Sequence, residues 1–170
     1  MLTKKMQDAL NEQINAEMWS SYLYLSMSMY FEDQGLPGFA NWMRIQADEE
    51  NMHAMKFVDY INERNGRVLL KPIGAVETEW KDTLTVFEET LAHEQKVTAL
   101  INNLMDIAIE EKDHASRSFL NWFVDEQVEE EATVNEILDQ LRMVKDNGNG
   151  MFMMDREMRG RSAAPADAAE

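Results

Sequence analysis

Residues Ala47–Phe57 read ADEENMHAMKF, and they fall in a stretch, residues 39–65, that contains neither Gly nor Pro. An uninterrupted stretch of that length predicts a helix, in which residues three and four apart share one face. That face runs Phe39, Met43, Gln46, Glu50, His53, Phe57, Tyr60. It is an apolar stripe of the kind that packs into a core, broken in its middle by Glu50 and His53, which share one side of the helix at i and i+3.

Three more stripes of the same kind flank this one. Met6, Leu10, Ile14, Glu17, Ser21, Tyr24, Met27 and Phe31 form the first. Leu84, Phe87, Leu91, Glu94, Thr98, Ile101, Met105 and Ala108 form the third, and Phe119, Phe123, Gln127, Glu130, Val134, Ile137 and Leu141 the fourth. The punctuation fits four long helices. Thr3 can cap the first, which runs to about Gln34 and stops at Gly35. Pro37 suits the first turn of the second, which runs to about Asn65 with Gly66 as its stop. A third is expected from Trp80 to Lys112, and a fourth, capped by Asp113, from His114 to Lys145. DNGNG (Asp146 to Gly150) breaks the pattern, Met151 to Arg159 reads as a short fifth helix, and the tail 162–170 reads as disordered. The connection Gly66 to Glu79 is long enough to return the chain to the other end of the second helix. The expected fold is therefore all-α, a four-helix bundle with one long crossover and a short C-terminal helix, over residues 1–161.

The heights of the interruptions carry the chemistry. The four expected helix centres fall near residues 19, 51, 96 and 129, and each carboxylate lies within about three residues of one, roughly 5 Å along an axis. Antiparallel helices of similar length align at their centres, so Glu17, Glu50, Glu94 and Glu130 converge on one layer. One Glu on a stripe is ordinarily a boundary residue reaching for water, and one His an ordinary hydrogen-bonded core residue. Four carboxylates at one level, with only His53 and Gln127 to offset them and no Lys or Arg on the stripes nearby, are too costly to bury unpaired. Two divalent cations would balance them. Carboxylates with one imidazole and no thiolate suit iron or manganese better than structural zinc, and no EF-hand loop is present for calcium.

Composition narrows the classes further. The 170-residue chain carries 32 acidic against 16 basic residues, a formal net charge of −16, which disfavours binding to nucleic acid or anionic lipid. With no cysteine it has no disulfide, zinc-thiolate or iron–sulfur option. The beginning MLTKKMQDAL has no apolar signal core, and no 18-residue apolar run occurs, so a cytoplasmic, membrane-independent protein is expected.

From Leu2 to about Arg161 the chain resembles the ferritins, most closely the bacterial haem-free ferritins. The likeness lies in NEQINAEMWSSYLYLSM around Glu17, ADEENMHAMKF around Glu50 and His53, AHEQKVT around Glu94, and FVDEQVEEE around Gln127 and Glu130. The resemblance implies that Glu17, Glu50 and His53 hold one iron, and that Glu50, Glu94 and Glu130 hold a second, with Glu50 bridging and Gln127 close by. It also implies a third iron position at Glu49, Glu126 and Glu129, which read otherwise as a solvated acidic edge. Tyr24 would stand next to the metals and supply an electron, and Trp122 reads as a bulky core or interface residue that can approach them. Bacterioferritins, by contrast, carry a second Glu-x-x-His on the fourth helix, where this chain has Gln127-Val128-Glu129-Glu130. They bind haem through a methionine just after the bridging Glu, where this chain has Asn51, so no haem is expected. The mini-ferritins that protect DNA place their ligands between subunits and lack this set.

The implied activity is oxidation of Fe²⁺ by O₂ or H₂O₂ at an intra-subunit di-iron centre, with the product stored inside a hollow 24-subunit shell. Apolar residues in GMFMMDREM and in the crossover segment RVLLKPI would be covered by other subunits. Glu110, Glu111 and Asp113 read as an exposed acidic turn rather than an entry channel. Two other readings compete. A di-iron oxygenase or peroxide-scavenging bundle ordinarily shows two Glu-x-x-His motifs, and a non-catalytic helical scaffold predicts an apolar central layer.

Overall fold

The computed structural model describes residues 2–145 and 147–162, so the tail expected to be disordered lies, from residue 163 on, outside the described residues. The described residues form five helices and no strand: α1 Lys4–Asp33, α2 Pro37–Glu63, α3 Thr83–Glu110, α4 His114–Val144 and α5 Gly148–Met158. Helices α1 and α2 form one antiparallel hairpin and α3 and α4 the other. The crossover reverses the second pair, so that Thr3 at the start of α1 donates to Glu111 at the end of α3, and Tyr30 near the end of α1 donates to the Trp80 carbonyl (3.1 Å).

The ends of the helices follow the expected chemistry with local corrections. Thr3 accepts the Met6 amide and Gly35, at φ 70°, closes α1. At the end of α2 the left-handed residue is Asn65 (φ 57°), not Gly66. Gly66 is needed for closeness instead, because a Cβ there would stand 2.9 Å from Ile61 Cγ2. Helix α3 starts three residues later than expected, since Asp82 Oδ1 accepts the Thr85 amide at 2.8 Å. Trp80 is not helical but buried against Tyr30, donating to Glu89 at 2.7 Å. Asp113 caps α4 as expected and also receives Arg64 Nη2 on both oxygens at 3.1 Å. Burial pushes its carboxyl up, but the Arg64 and Ser116 hydrogen bonds outweigh that and hold it below the usual carboxylate range.

Helix α5 begins at Gly148 rather than Met151, because the Asn147 side chain accepts the amides of Asn149 and Gly150 and nucleates the turn inside the expected break. Only part of its apolar face awaits a partner. Met154 and Met158 are buried in the chain's own core, whereas Phe152 and Met153 are exposed. Buried Asp155 accepts the amides of Gly38 (2.7 Å) and Phe39 (3.2 Å), so α5 caps α2, whose own cap residue Leu36 supplies no side-chain bond. Gly38 admits this contact because any Cβ would overlap the Asp155 carbonyl.

A row of side chains along α1 fastens the crossover. Gln7 Oε1 accepts the Arg67 amide, Asn11 bonds the Arg67 carbonyl and the Leu69 amide, and Asn15 donates to the Pro72 carbonyl. Trp19, Ser26 and Tyr30 donate to the carbonyls of Ala75, Glu77 and Trp80. From Gln7 to Tyr30 this row spans roughly 34 Å of helix. The crossover is thus an extended strap that α1 fastens at successive backbone groups.

The apolar core divides in two. One cluster holds Met27, Phe31, Phe39, Met43, Phe87 and Leu138, and the other holds Leu10, Ile14, Phe57, Ile101, Leu120 and Phe123. Burying each such side chain contributes about 1.5–3 kcal/mol. Between the clusters lies a polar layer, which removes the support for a scaffold with an apolar centre.

Candidate metal centre

The layer is assembled from the middle of all four long helices. Glu17, Glu50, Glu94, Glu130, His53 and Gln127 are between 0% and 7% exposed, so none of the carboxylates escapes to water. Their intervals along each helix place them on faces that also bury Phe57, Ile101 and Phe123.

Glu17, Glu50 and His53 form the tightest group, with one ligand-type atom from each lying within 4.8 Å of the others. Gln13, one turn before Glu17, donates to Glu17 Oε1 at 2.8 Å. Among the described residues, Glu17 Oε2 and Glu50 Oε2 are buried without a hydrogen-bond partner. His53 Nδ1 approaches Glu50 Oε2 only to 3.5 Å, too far for a good hydrogen bond. Two like unit charges about 4 Å apart repel by about 4 kcal/mol even at an effective dielectric of 20. Burial, and then the Glu50 charge, push the Glu17 carboxyl well above its usual range. Burial and the neighbouring Glu94 charge do the same to Glu50. Two bare buried oxygens beside an imidazole suit a cation that accepts oxygen and nitrogen donors.

Glu94 and Glu130 lie close enough for their charges to raise Glu50, yet each is held by neutral donors. Tyr24 Oη and Gln127 Nε2 (3.1 Å) donate to the two oxygens of Glu94. Gln46 Nε2 donates to Glu130 Oε2 at 2.8 Å. Glu94 is raised chiefly by burial, against which the Tyr24 and Gln127 bonds act. Glu130 is pushed up to about 7 by burial and the Glu94 charge. Tyr24 is a neutral phenol, held well above its usual value by burial and by the charges of Glu94 and Glu50.

The outer acidic group is looser. Glu126 is half-buried, with Oε1 3.9 Å from His53 Nε2, so the imidazole stands between Glu50 and Glu126. Burial raises Glu126, with the Glu129 and Glu49 charges adding to it against His53. Glu129 is exposed, and Glu49 is paired with Arg161 Nη2 at 2.5 Å. Trp122 does approach the site, its ring edge-on to His53 with centroids 5.4 Å apart and Lys56 Nζ 4.1 Å from its centroid. The acidic turn at Glu110 to Asp113 is engaged within the chain, by Lys5, Thr3 and Arg64.

Of the neutral donors, sequence reasoning singled out Tyr24 and Gln127 but missed the roles of Gln13 and Gln46. Gln13 sits four residues before its acceptor Glu17, a spacing that could have signalled it, whereas Gln46 donates to Glu130, 84 residues away, which periodicity does not reveal. Sequence reasoning also missed Arg161, whose contact with Glu49 joins positions 112 residues apart and leaves no periodic trace. His93, beside Glu94 in sequence, is not a member of the group. It bonds Ser20 Oγ at 2.7 Å, and burial lowers it to about 4.

Comparison with known proteins gives the family. Residues 7–144 match the family model described as a Ferritin-like domain. A bacterial non-heme ferritin of Bacteroides fragilis is 49% identical over 158 residues, covering 93% of this chain and 98% of that protein. One from Staphylococcus saprophyticus is 44% identical over 162 residues, covering 95% and 97%. The solved open-pore ferritin of the hyperthermophilic archaeon Archaeoglobus fulgidus superposes with a TM-score of 0.95 at 46% identity, over 95% of this chain and all of that one. With its bundle, its crossover and a family match that runs through all four long helices, the chain belongs to the ferritin family.

Proposed function

We propose that the protein stores iron and oxidises Fe²⁺ to Fe³⁺ at an intra-subunit di-iron centre. Glu17, Glu50 and His53 receive one ferrous ion. Glu50, Glu94 and Glu130 receive the second, with Glu50 between them and Gln127 steering Glu94. The observation that carries this reading is the pair of buried, unpartnered oxygens, Glu17 Oε2 and Glu50 Oε2, in the group that includes His53. Two ferrous ions give up one electron each, and O₂ takes both electrons with two protons to leave H₂O₂. H₂O₂ in turn takes two electrons and two protons to leave water. Carboxylates favour oxidation because they stabilise the more highly charged Fe³⁺. Tyr24, hydrogen-bonded to Glu94, is placed to supply one electron of such a reduction in place of an iron, its phenol proton passing to Glu94, and to be restored by an electron from a later Fe²⁺.

Glu49, Glu126 and Glu129 are proposed as a third iron position, next to the first through His53. The reaction is proposed to work without haem. Storage requires a cavity, and one bundle has none, so we assign the mineral product to the interior of a 24-subunit cage in the cytoplasm. Exposed Tyr22 and Met29 on α1, and Leu69, Leu70 and Ile73 on the strap, are available for subunit contact. Among the described residues no helix is long and apolar enough to cross a membrane.

Anaerobic titration with Fe²⁺ followed by O₂ tests the reading. Two or three ions per chain, then oxidation faster than in buffer, are expected. Absence of tight binding, or oxidation no faster than in buffer, would refute it. Elution as a monomer only in size-exclusion chromatography would remove the storage half.

A further inference from the structure

The C-terminal turn brings a guanidinium to the edge of the acidic layer. Beyond α5, Asn41 Nδ2 donates to the carbonyls of Met158 (3.3 Å) and Arg161 (3.2 Å), fastening the turn to α2. The Arg161 guanidinium then lies over the Trp42 ring, 4.4 Å from its centroid. Its Nη1 donates to the Trp42 carbonyl (3.2 Å) and to Gln46 Oε1 (3.0 Å), and its Nη2 to Glu49 Oε2 (2.5 Å). By taking the oxygen of the Gln46 amide, Arg161 turns the amide nitrogen toward Glu130, which it reaches at 2.8 Å. One side chain thus acts on the outer group directly and on Glu130 through one intermediary.

We propose that Arg161 is a positioning residue that occupies Glu49 in the iron-free chain and has to release it before Glu49, Glu126 and Glu129 can hold a cation. This rests on the proposed third iron position. The physical basis is competition for one carboxylate. A forked guanidinium satisfies Glu49 and cancels one of the three negative charges that would attract a metal ion. An incoming ion has to exchange that contact for its own. Arg161 lies past the end of α5, whose anchors are Asp155, Met154 and Met158, so the turn can open with the helix in place. The outer position therefore fills after the inner two, and its filling is coupled to the conformation of the C-terminal turn.

Zinc, which is redox-silent, separates occupancy from oxidation. Calorimetric titration of the assembled full-length protein with Zn²⁺ is expected to show inner ions and a weaker outer one. Arg161→Gln is expected to tighten the outer ion about tenfold, with Arg161→Lys intermediate. In the Arg161→Gln/Glu49→Gln double variant the gain should vanish. Hydrogen exchange at residues 159–162 should quicken as the outer ion binds, and thermal unfolding of each variant reports that the bundle is intact. If Glu49→Gln removes the outer ion but Arg161→Gln leaves its affinity unchanged or lowers it, the latch is overturned and the metal position stands. If Glu49→Gln leaves every ion in place, the third position is wrong and the proposal falls with it.

Discussion

The two halves of the centre differ in what their carboxylates do before any metal arrives. Around Glu17, Glu50 and His53, two buried oxygens have no partner. Around Glu94 and Glu130, the carboxylates are held by Tyr24, Gln127 and Gln46. A buried hydrogen bond to a charged group is worth about 1.5–3 kcal/mol, while an unmet buried oxygen costs a comparable amount. In the first half an entering cation meets two oxygens that no neutral donor holds and displaces the proton that their raised carboxyls favour. The second has to give up existing bonds to accept one. For the proposed di-iron centre this predicts an order of filling: the Glu17 side first and more tightly, the Glu130 side second.

In the proposed centre Glu50 serves both halves, so its loss is the harshest test. Glu50→Ala is expected to slow the fast phase of iron oxidation by about a hundredfold or more in stopped-flow measurement, with the bundle still folded. An unchanged rate would remove Glu50 from the centre. Substitutions confined to one half should separate them. His53→Ala should abolish the tightest ferrous ion, by about a hundredfold in affinity, whereas Glu130→Ala should leave that ion and lose the next. Equal effects of the two on the first ion would erase the asymmetry.

Proton release distinguishes the two halves in a second way. Glu130 is raised to about 7, above the ordinary carboxylate value of an unfolded chain. Its neutral form is favoured by the folded state, so the stability it contributes is fully present below the unfolded value and is lost as pH rises through about 7. Metal binding needs the carboxylate, so the second ion should release a proton below pH 7 and bind up to about tenfold more tightly per pH unit until the dependence levels off above 7. Glu130→Gln should flatten the metal-free protein's stability over that window. A second-ion affinity independent of pH from 5 to 7 would contradict the assignment. The smallest effect is expected for Tyr24→Phe. It should cost about 1 kcal/mol of metal-free stability, read as a drop of a few degrees in Tm, and should slow multiple turnovers more than the first one. An equal effect on both would reduce Tyr24 to a structural role.

Much of this was legible in the residues. Apolar periods of three and four show which faces are buried, and the stripe residues of α2 from Phe39 to Tyr60 are all buried as read. The common height of the carboxylates follows from helix length alone. What was not legible depends on contacts distant in the chain. Periodicity names a face but not its partner, so it could not show Asp155 capping α2 or Arg161 on Glu49. Turn residues were misread where two signals compete. Asn147 starts a helix within a Gly-rich segment, and Asn65 takes the left-handed conformation one residue before the glycine that seemed designed for it. Ser21, read as a core position, lies at the edge of its stripe and donates to the Ala47 carbonyl, while Ser20 is the buried one.

Long connections are usually where a protein best tolerates an added or missing residue, since closing a slightly longer loop costs little. The strap from Arg67 to Trp80 should behave in the opposite way, because α1 grips it at successive points from Gln7 to Tyr30. An insertion within it has to bulge between two grips or shift every grip beyond it. Evolutionary change in length, and any attempt to graft a peptide into this subunit, is better accommodated outside the gripped span than in the segment that looks most like a loop.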